Sequence, residues 1–436
     1  MVSTSSYTHA IDCVMRQDVL PHLAHGRPNL VVFDEDAGLE TAAIGARGAK
    51  ARALLRHGVS ACRGKTFPCA TLATLSAIDA GYKRALDYLE PRFPGLEQQL
   101  GKSFLAATDQ FVRVFMATMA AIARRYGVYV VASNTQARFK LTSDKAAVAA
   151  LRDPASHEVA VYAPTSARAY DQTFVWGPRI VNRGAPTPIA NLLAVNYKVP
   201  LTSFEQALGF AAGPASGASA RANLKPFPIP GTGARLGFAT SLPAFTYGTT
   251  RPAAGHECDD VTISYMYCLD RLGANVVIQA DANDGQWSGA DGTDQLEQWQ
   301  PLAWMGSAWR AVHDPSVHFA YAVNPFMVGN LADTPFDGQS AILQRGLRGH
   351  GCNYVGDRTF VSGEDDPALS ADAGPKPEFL ALAPWAVPDE PRAALRKVGA
   401  ALATGSGRLH YVQTAVIADL PLPASPHRRG CVVAGR

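Results

Sequence analysis

No stretch of this chain is apolar for long enough to cross a membrane. A spanning helix needs about 18 or more such residues, and the most apolar region, Phe104 to Val131, is broken by Arg113, Arg124 and Arg125. Charge of one sign is also lacking. A net +3 over 436 residues makes no field to hold a nucleic acid or a membrane surface, so neither is expected as a partner. Cysteine is sparse: Cys13, Cys62, Cys69, Cys258, Cys268, Cys352 and Cys431 are an odd number, scattered, with no CxxC pair or Cys/His cluster. That usage indicates neither a disulfide framework nor a zinc site and fits a reducing, cytoplasmic setting. Met1 to Ser6 lacks the basic start and apolar core of a signal peptide. Metal and nucleotide motifs are missing too; Gly231-Thr-Gly233 is a turn, far short of a phosphate loop. No cofactor is expected.

What is present is the composition of a globular protein, 47% hydrophobic and 18% charged. The length allows one large α/β domain with insertions or two domains, and a single decorated domain is the economical reading. Tyr7 to Leu23 reads as helix. Leu30 to Phe33 is a short β-branched strand that runs into the acidic cluster Asp34-Glu35-Asp36. Apolar residues at helical spacing from Leu105 to Tyr126 predict a long amphipathic helix, followed by Gly127 and a strand over Val128 to Ala132. Further strands are expected at Glu158 to Tyr162, Gln172 to Trp176, Leu236 to Thr240, Asn275 to Ala280, His318 to Val323 and Tyr411 to Ala418. A helix from Val261 to Leu272 follows Asp259 and Asp260 and stops at Gly273. Helix alternating with strand is the α/β pattern, in which strand ends carry the chemistry.

Several of these segments resemble the nitrilase superfamily of carbon–nitrogen hydrolases. Asn29 to Leu39 (NLVVFDEDAGL) resembles the strand that ends in that family's catalytic glutamate, with Asp34 where a proline is usual. Ile122 to Asn134 (IARRYGVYVVASN) looks like its next helix and strand. Asn196 to Glu205 (NYKVPLTSFE) is similar to its lysine motif, placing Lys198 at the catalytic lysine and Glu205 at a supporting glutamate. Gly273 to Gln279 (GANVVIQ), Asn324 with Gly329, Phe336 to Ile342 (FDGQSAI) and Val416 to Leu420 (VIADL) are similar to later motifs, in the family's order. The resemblance runs from about Asn29 to Leu420, with insertions near 40–100, 211–234, 281–315 and 345–400 and a C-terminal extension. The family's opening strand has no counterpart before the helix at Tyr7. The resemblance implies an α/β fold, a four-layer αββα sandwich, which commonly pairs sheet to sheet as a homodimer or larger homo-oligomer. It also implies a Glu-Lys-Cys site with Glu35 as general base and Lys198 as electrostatic support.

The third member of that site is open. The strand that should lead to the nucleophile is Arg235 to Ser241 (RLGFATS), and the family's cysteine position holds Ser241. Cys258, ahead of the helix from Val261, has the better chemistry, because a helix N-terminus lowers a thiol pKa and offers free N–H groups. The flanking Asp259 and Asp260 oppose a thiolate, and a buried cysteine there is commonly inert. Cys258, Ser241 or neither is the nucleophile. Cys268 reads as core. His256 is a possible aid to Cys258 or a loop histidine. Trp287, Trp299, Trp304 and Trp309 line a pocket or a packed flap.

Two functions follow. One is a cofactor-free amidase or nitrilase, acting through a covalent acyl-enzyme on a small-molecule amide or nitrile, with acyl transfer to an amine as a variant. The other is a degenerate relative that binds a ligand or partner without turnover.

Overall fold

The computed structural model describes residues 3–58, 62, 68–282, 300–331, 334–336, 338–348, 377–383, 414–424 and 432–433. They fall into two compact units. The first holds Met1–Val31 and Asp36–Gly213; the second holds Val32–Glu35 and Pro214–Arg436. Both mix helices with a β-sheet, so the fold class is α/β.

The first unit is built on a four-stranded sheet in the order β1 (Leu30–Val32), β2 (Tyr129–Thr142), β3 (Val161–Trp176), β4 (Leu192–Tyr197). β2 and β3 run antiparallel from the pair Val130↔Trp176 to Thr142↔Val161, with one slip between Ala137 and Phe139. Both are far longer than their sequence signals. The apolar run Val128 to Ala132 is only the start of β2, which continues through Ser133, Asn134, Thr135 and Gln136, all buried. The two segments expected at 158–162 and 172–176 lie towards the two ends of one strand. Its exposed middle, around Thr165 and Arg168, has no apolar alternation to mark it.

Helical turns from Lys102 to Tyr126 pack on this sheet, with a π-helical stretch at Val112–Met116. Leu105, Phe111, Val114, Phe115, Met119 and Ile122 are all buried, the apolar face that their spacing predicts. Phe115 meets the faces and edges of Phe174 and Trp176, with ring centroids 6.2 and 5.8 Å away. Each such side chain contributes roughly 1.5–3 kcal/mol on burial. The last turn stops at Gly127, whose φ of 67° is the left-handed cap that favours glycine.

The second unit has a seven-stranded sheet. From one edge it runs β5 (Phe227–Pro228), β6 (Arg235–Phe238), β7 (Val276–Ile278), β8 (Tyr321–Asn324), β11 (Ala341–Gln344), β12 (Phe379–Leu382), β13 (Val432–Val433). A separate hairpin pairs β9 (Gly329–Leu331) with β10 (Thr334–Phe336). The centre, β6-β7-β8, is parallel, which requires crossovers. The helices Val261–Arg271 and Gln300–His313 supply them. The first starts at Asp260, whose carboxylate accepts the Thr262 N–H. It lies so close to β6 that a Cβ on Gly237 would come within 2.7 Å of Leu269.

Two expectations are corrected here. Val416–Leu420 is no strand: residues 414–420 carry no regular structure, and Pro421 and Pro423 follow, each without a donor for a ladder. The strand beside β12 is Val432–Val433. Residues 411–413 lie outside the described ones. The second correction concerns the cysteines, since disulfides join Cys62 to Cys69 and Cys258 to Cys268. No helix among the described residues is long and apolar enough to cross a membrane.

Candidate active site

In the second unit the site forms where β6 and β7 end. Beyond their regular pairing the ladder continues, with Ala239 N–H donating to Ile278 O at 2.8 Å and Ser241 N–H to Ala280 O at 3.0 Å. In a parallel ladder the next bond would run from Ala282 N–H to the carbonyl of Ser241. It does not form, because the chain turns at Ser241. That residue has φ 58° and ψ −123° and opens a short 3-10 turn, Leu242–Phe245. The vacated Ala282 N–H donates instead to Glu35 Oε2, at 3.0 Å. Glu35 therefore takes, on the edge of β7, the place that the Ser241 carbonyl would have filled.

Ser241 is 5% exposed, and its hydroxyl makes no hydrogen bond among the described residues. A non-glycine residue in this backbone region costs about 1–3 kcal/mol. Such turns, from a strand into a helix, are how hydrolases lift a nucleophile clear of its sheet. Leu242 N–H, first in the turn, has no intrahelical acceptor and is a natural oxyanion donor. The strand below is anchored by Tyr265, whose hydroxyl donates to Phe238 O at 2.6 Å.

Glu35, 5% exposed, is not the solvated turn acid that three acids in a row suggest. Its neighbour Asp36 explains the local bend: φ is 55°, and its carboxylate accepts the Thr135 N–H at 2.7 Å.

Lys198 and Glu205 belong to the first unit. Lys198 follows β4 directly and is 4% exposed, so it is no surface lysine. Its Nζ lies 2.8 Å from Glu205 Oε1 and 3.5 Å from Asp171 Oδ2. Its backbone is fixed as well, N–H to Asp171 O and C=O from Gly213 N–H. Glu205 reaches Lys198 from the first turn of the helix Ser203–Leu208, where its other oxygen accepts the Thr202 N–H at 2.7 Å in a capping box. One ammonium is thus flanked by two carboxylates.

Cys258 is corrected as nucleophile. Its sulfur is bonded to Cys268, so it offers no thiolate, and the helix it was expected to cap is capped by Asp260. Cys268 is fully buried core, as expected. His256 is an exposed loop histidine beside Asp259. Trp309 is packed, stacked on His313 with Nε1 bonded to Glu378. Trp304 is half-buried and edge-on to Phe245 and Phe326. Trp287 and Trp299 lie outside the described residues.

Sequence reasoning missed Asp171, a carboxylate in the buried second half of β3, and Asp281, just beyond β7. For Asp281 the available signal was an acid closing the strand segment Val276 to Ala280; Asp171, followed by Gln172 and Thr173, carries no such signal.

No family model matches the chain, and no curated protein matches it. Solved structures do. A carbon–nitrogen hydrolase from Helicobacter pylori G27 is 11% identical over 78% of this chain and 76% of its own, with a TM-score of 0.37. A mutant amidase from Nesterenkonia sp. AN1, with acrylamide added at its active-site cysteine, is 15% identical over 62% and 78%, at 0.31. A further mutant of that amidase, described as of the nitrilase superfamily, is 14% identical over 61% and 76%, at 0.32. At these overlaps, the functional reading rests on this chain's own residues.

Proposed function

We propose that the chain is a divergent member of the nitrilase superfamily and hydrolyses a carbon–nitrogen bond, of amide or nitrile type, through an acyl-enzyme on Ser241. The observation that carries this is the exchange at the end of β6, where the backbone turns at a strained, buried serine and Glu35 takes the vacated Ala282 N–H. For an amide, Ser241 Oγ attacks the carbonyl carbon while Glu35 accepts the hydroxyl proton. The oxyanion is met by Leu242 N–H. As the C–N bond breaks, Glu35 returns that proton to the departing amine, and it then draws a proton from the water that opens the ester. Transfer to an amine in place of water uses the same groups. Lys198, with Glu205 holding it, is assigned to charge support in this reaction from the order of the sequence motifs. The same resemblance argues for a homo-oligomer.

A second reading, binding without turnover, is favoured by Ser241 itself. The hydroxyl lacks the acidity of a thiol and needs a strong positioned base to attack.

The deciding experiment is intact mass after exposure to a panel of amides, nitriles and activated esters. We expect one acyl adduct that maps to Ser241, disappears in Ser241→Ala, and forms faster in Ser241→Cys. An adduct with neither wild type nor Ser241→Cys would favour the binding protein.

A further inference from the structure

We infer that Asp281 is the positioning residue for Glu35, holding the end of β7 so that the Ala282 N–H stays aimed at the Glu35 carboxylate. Beyond Ile278 the ladder between β7 and β8 keeps the bond from Gln279 N–H to Val323 O at 2.9 Å, loses one at Pro325, which has no N–H to give, and thins to an isolated bridge, Asp281 with Phe326. Two backbone bonds remain there: Asp281 N–H to Pro325 O at 3.0 Å, and Met327 N–H to Asp281 O at 2.9 Å. The side chain adds what the thinning ladder lacks. Asp281, fully buried, accepts at Oδ2 from Asn324 Nδ2 at 2.5 Å and from Gln279 Nε2 at 3.0 Å. Asn324 Nδ2 also donates to Gln279 O at 2.7 Å, and Gln279 Nε2 to Ser307 Oγ at 2.8 Å. One carboxylate thus pins two strands together and ties them to the helix Gln300–His313.

Gln279 and Asp281 share one face of the strand. The backbone groups of Ala280 and Ala282 that meet Ser241 and Glu35 point along the sheet towards β6. Slack at residue 281 would move the Ala282 amide directly. A fully buried carboxylate is expensive unless it is hydrogen-bonded, and here two donors meet Oδ2 one residue from the amide that orients the proposed base. The inference rests on the reading of Glu35 as that base, but its test does not need turnover.

An amide proton bonded to a carboxylate shifts as that carboxylate titrates, so the Ala282 N–H resonance reports the contact. In wild type we expect one step with pH that is absent in Glu35→Gln. In Asp281→Ala the step should lose more than half its amplitude, and any acylation rate should fall at least tenfold with little change in KM. Asp281→Asn, which keeps an acceptor oxygen in place, should restore most of both. Should Asp281→Ala not fold, Asn324→Ser removes one of the two donors, and a partial loss of the step is expected. An unchanged step in whichever of these two variants folds, or a loss in Asp281→Asn as deep as in Asp281→Ala, would overturn the inference. A normal set of steps without any acylation would instead count against the enzyme and leave the positioning role standing.

Discussion

Ser241 concentrates the functional question in one backbone conformation. Glycine adopts φ near 58° without penalty, so Ser241→Gly should raise stability by about 1 kcal/mol in denaturant melts while abolishing acyl-adduct formation. Stability gained at the cost of the reaction would mark the strain as functional; a destabilised Gly variant would show that the turn is held for other reasons. Elsewhere, burial pushes the Asp79 carboxyl up to about 6, with Lys102 opposing. A folded-state pKa above the unfolded 3.8 means that this group's contribution is fully present below pH 3.8 and is lost as pH rises through about 6. Asp79→Asn should therefore be more stable than wild type by about 1–2 kcal/mol at pH 7.5, a figure discounted for the partial exposure of the site. The gap should close near pH 4. Urea titrations at the two pH values check it.

Among elements, the turn between β4 and the helix Ser203–Leu208 carries a buried ionic cluster. Removing the cation would leave Asp171 and Glu205 facing each other, Asp171 almost wholly buried. Lys198→Met should cost about 3–5 kcal/mol, and part of the loss should be recovered in Lys198→Met combined with Glu205→Gln. If Lys198→Met melts like wild type, the ion cluster is not formed in solution. This element also shows what a motif can specify. The spacing Thr202 to Glu205 is a capping box on its face, and it sets Glu205 at the right height for Lys198. Asp171 comes from a strand some 27 residues earlier in the chain, and nothing local announces it. The lengths of β2 and β3 were hidden for a related reason: their middles hold polar residues, and only pairing with each other makes them strand.

For the molecule as a whole, the two disulfides bear on its environment. Scattered cysteines suggested a reducing cytoplasm, whereas bonded pairs are the mark of an oxidising compartment. Alkylation of the unfolded protein without reductant, read by peptide mass, should modify Cys13 and leave Cys258 and Cys268 unmodified until reductant is added. Labelling of Cys258 without reductant would return it to the list of available thiols. Cysteine pairing is a matter of distance, and Cys258 and Cys268 meet because the loop before the helix Val261–Arg271 folds back along it, with Cα atoms 4.7 Å apart.

By itself the sequence determined the elements whose signal is local: the helix ending at Gly127, the helix opened by Asp260, the short strand into Glu35, and the order of the motifs. It also put Ser241 where the resemblance expects a cysteine, while favouring Cys258 as the nucleophile. The tertiary structure decided what depends on contacts distant in the chain. It took Cys258 into a disulfide, buried Lys198 between two acids, and put the Glu35 carboxylate on an amide that belongs to residue 282. That last step follows from ladder geometry, since a strand that turns away leaves a donor unpaired, and a buried donor must find another acceptor.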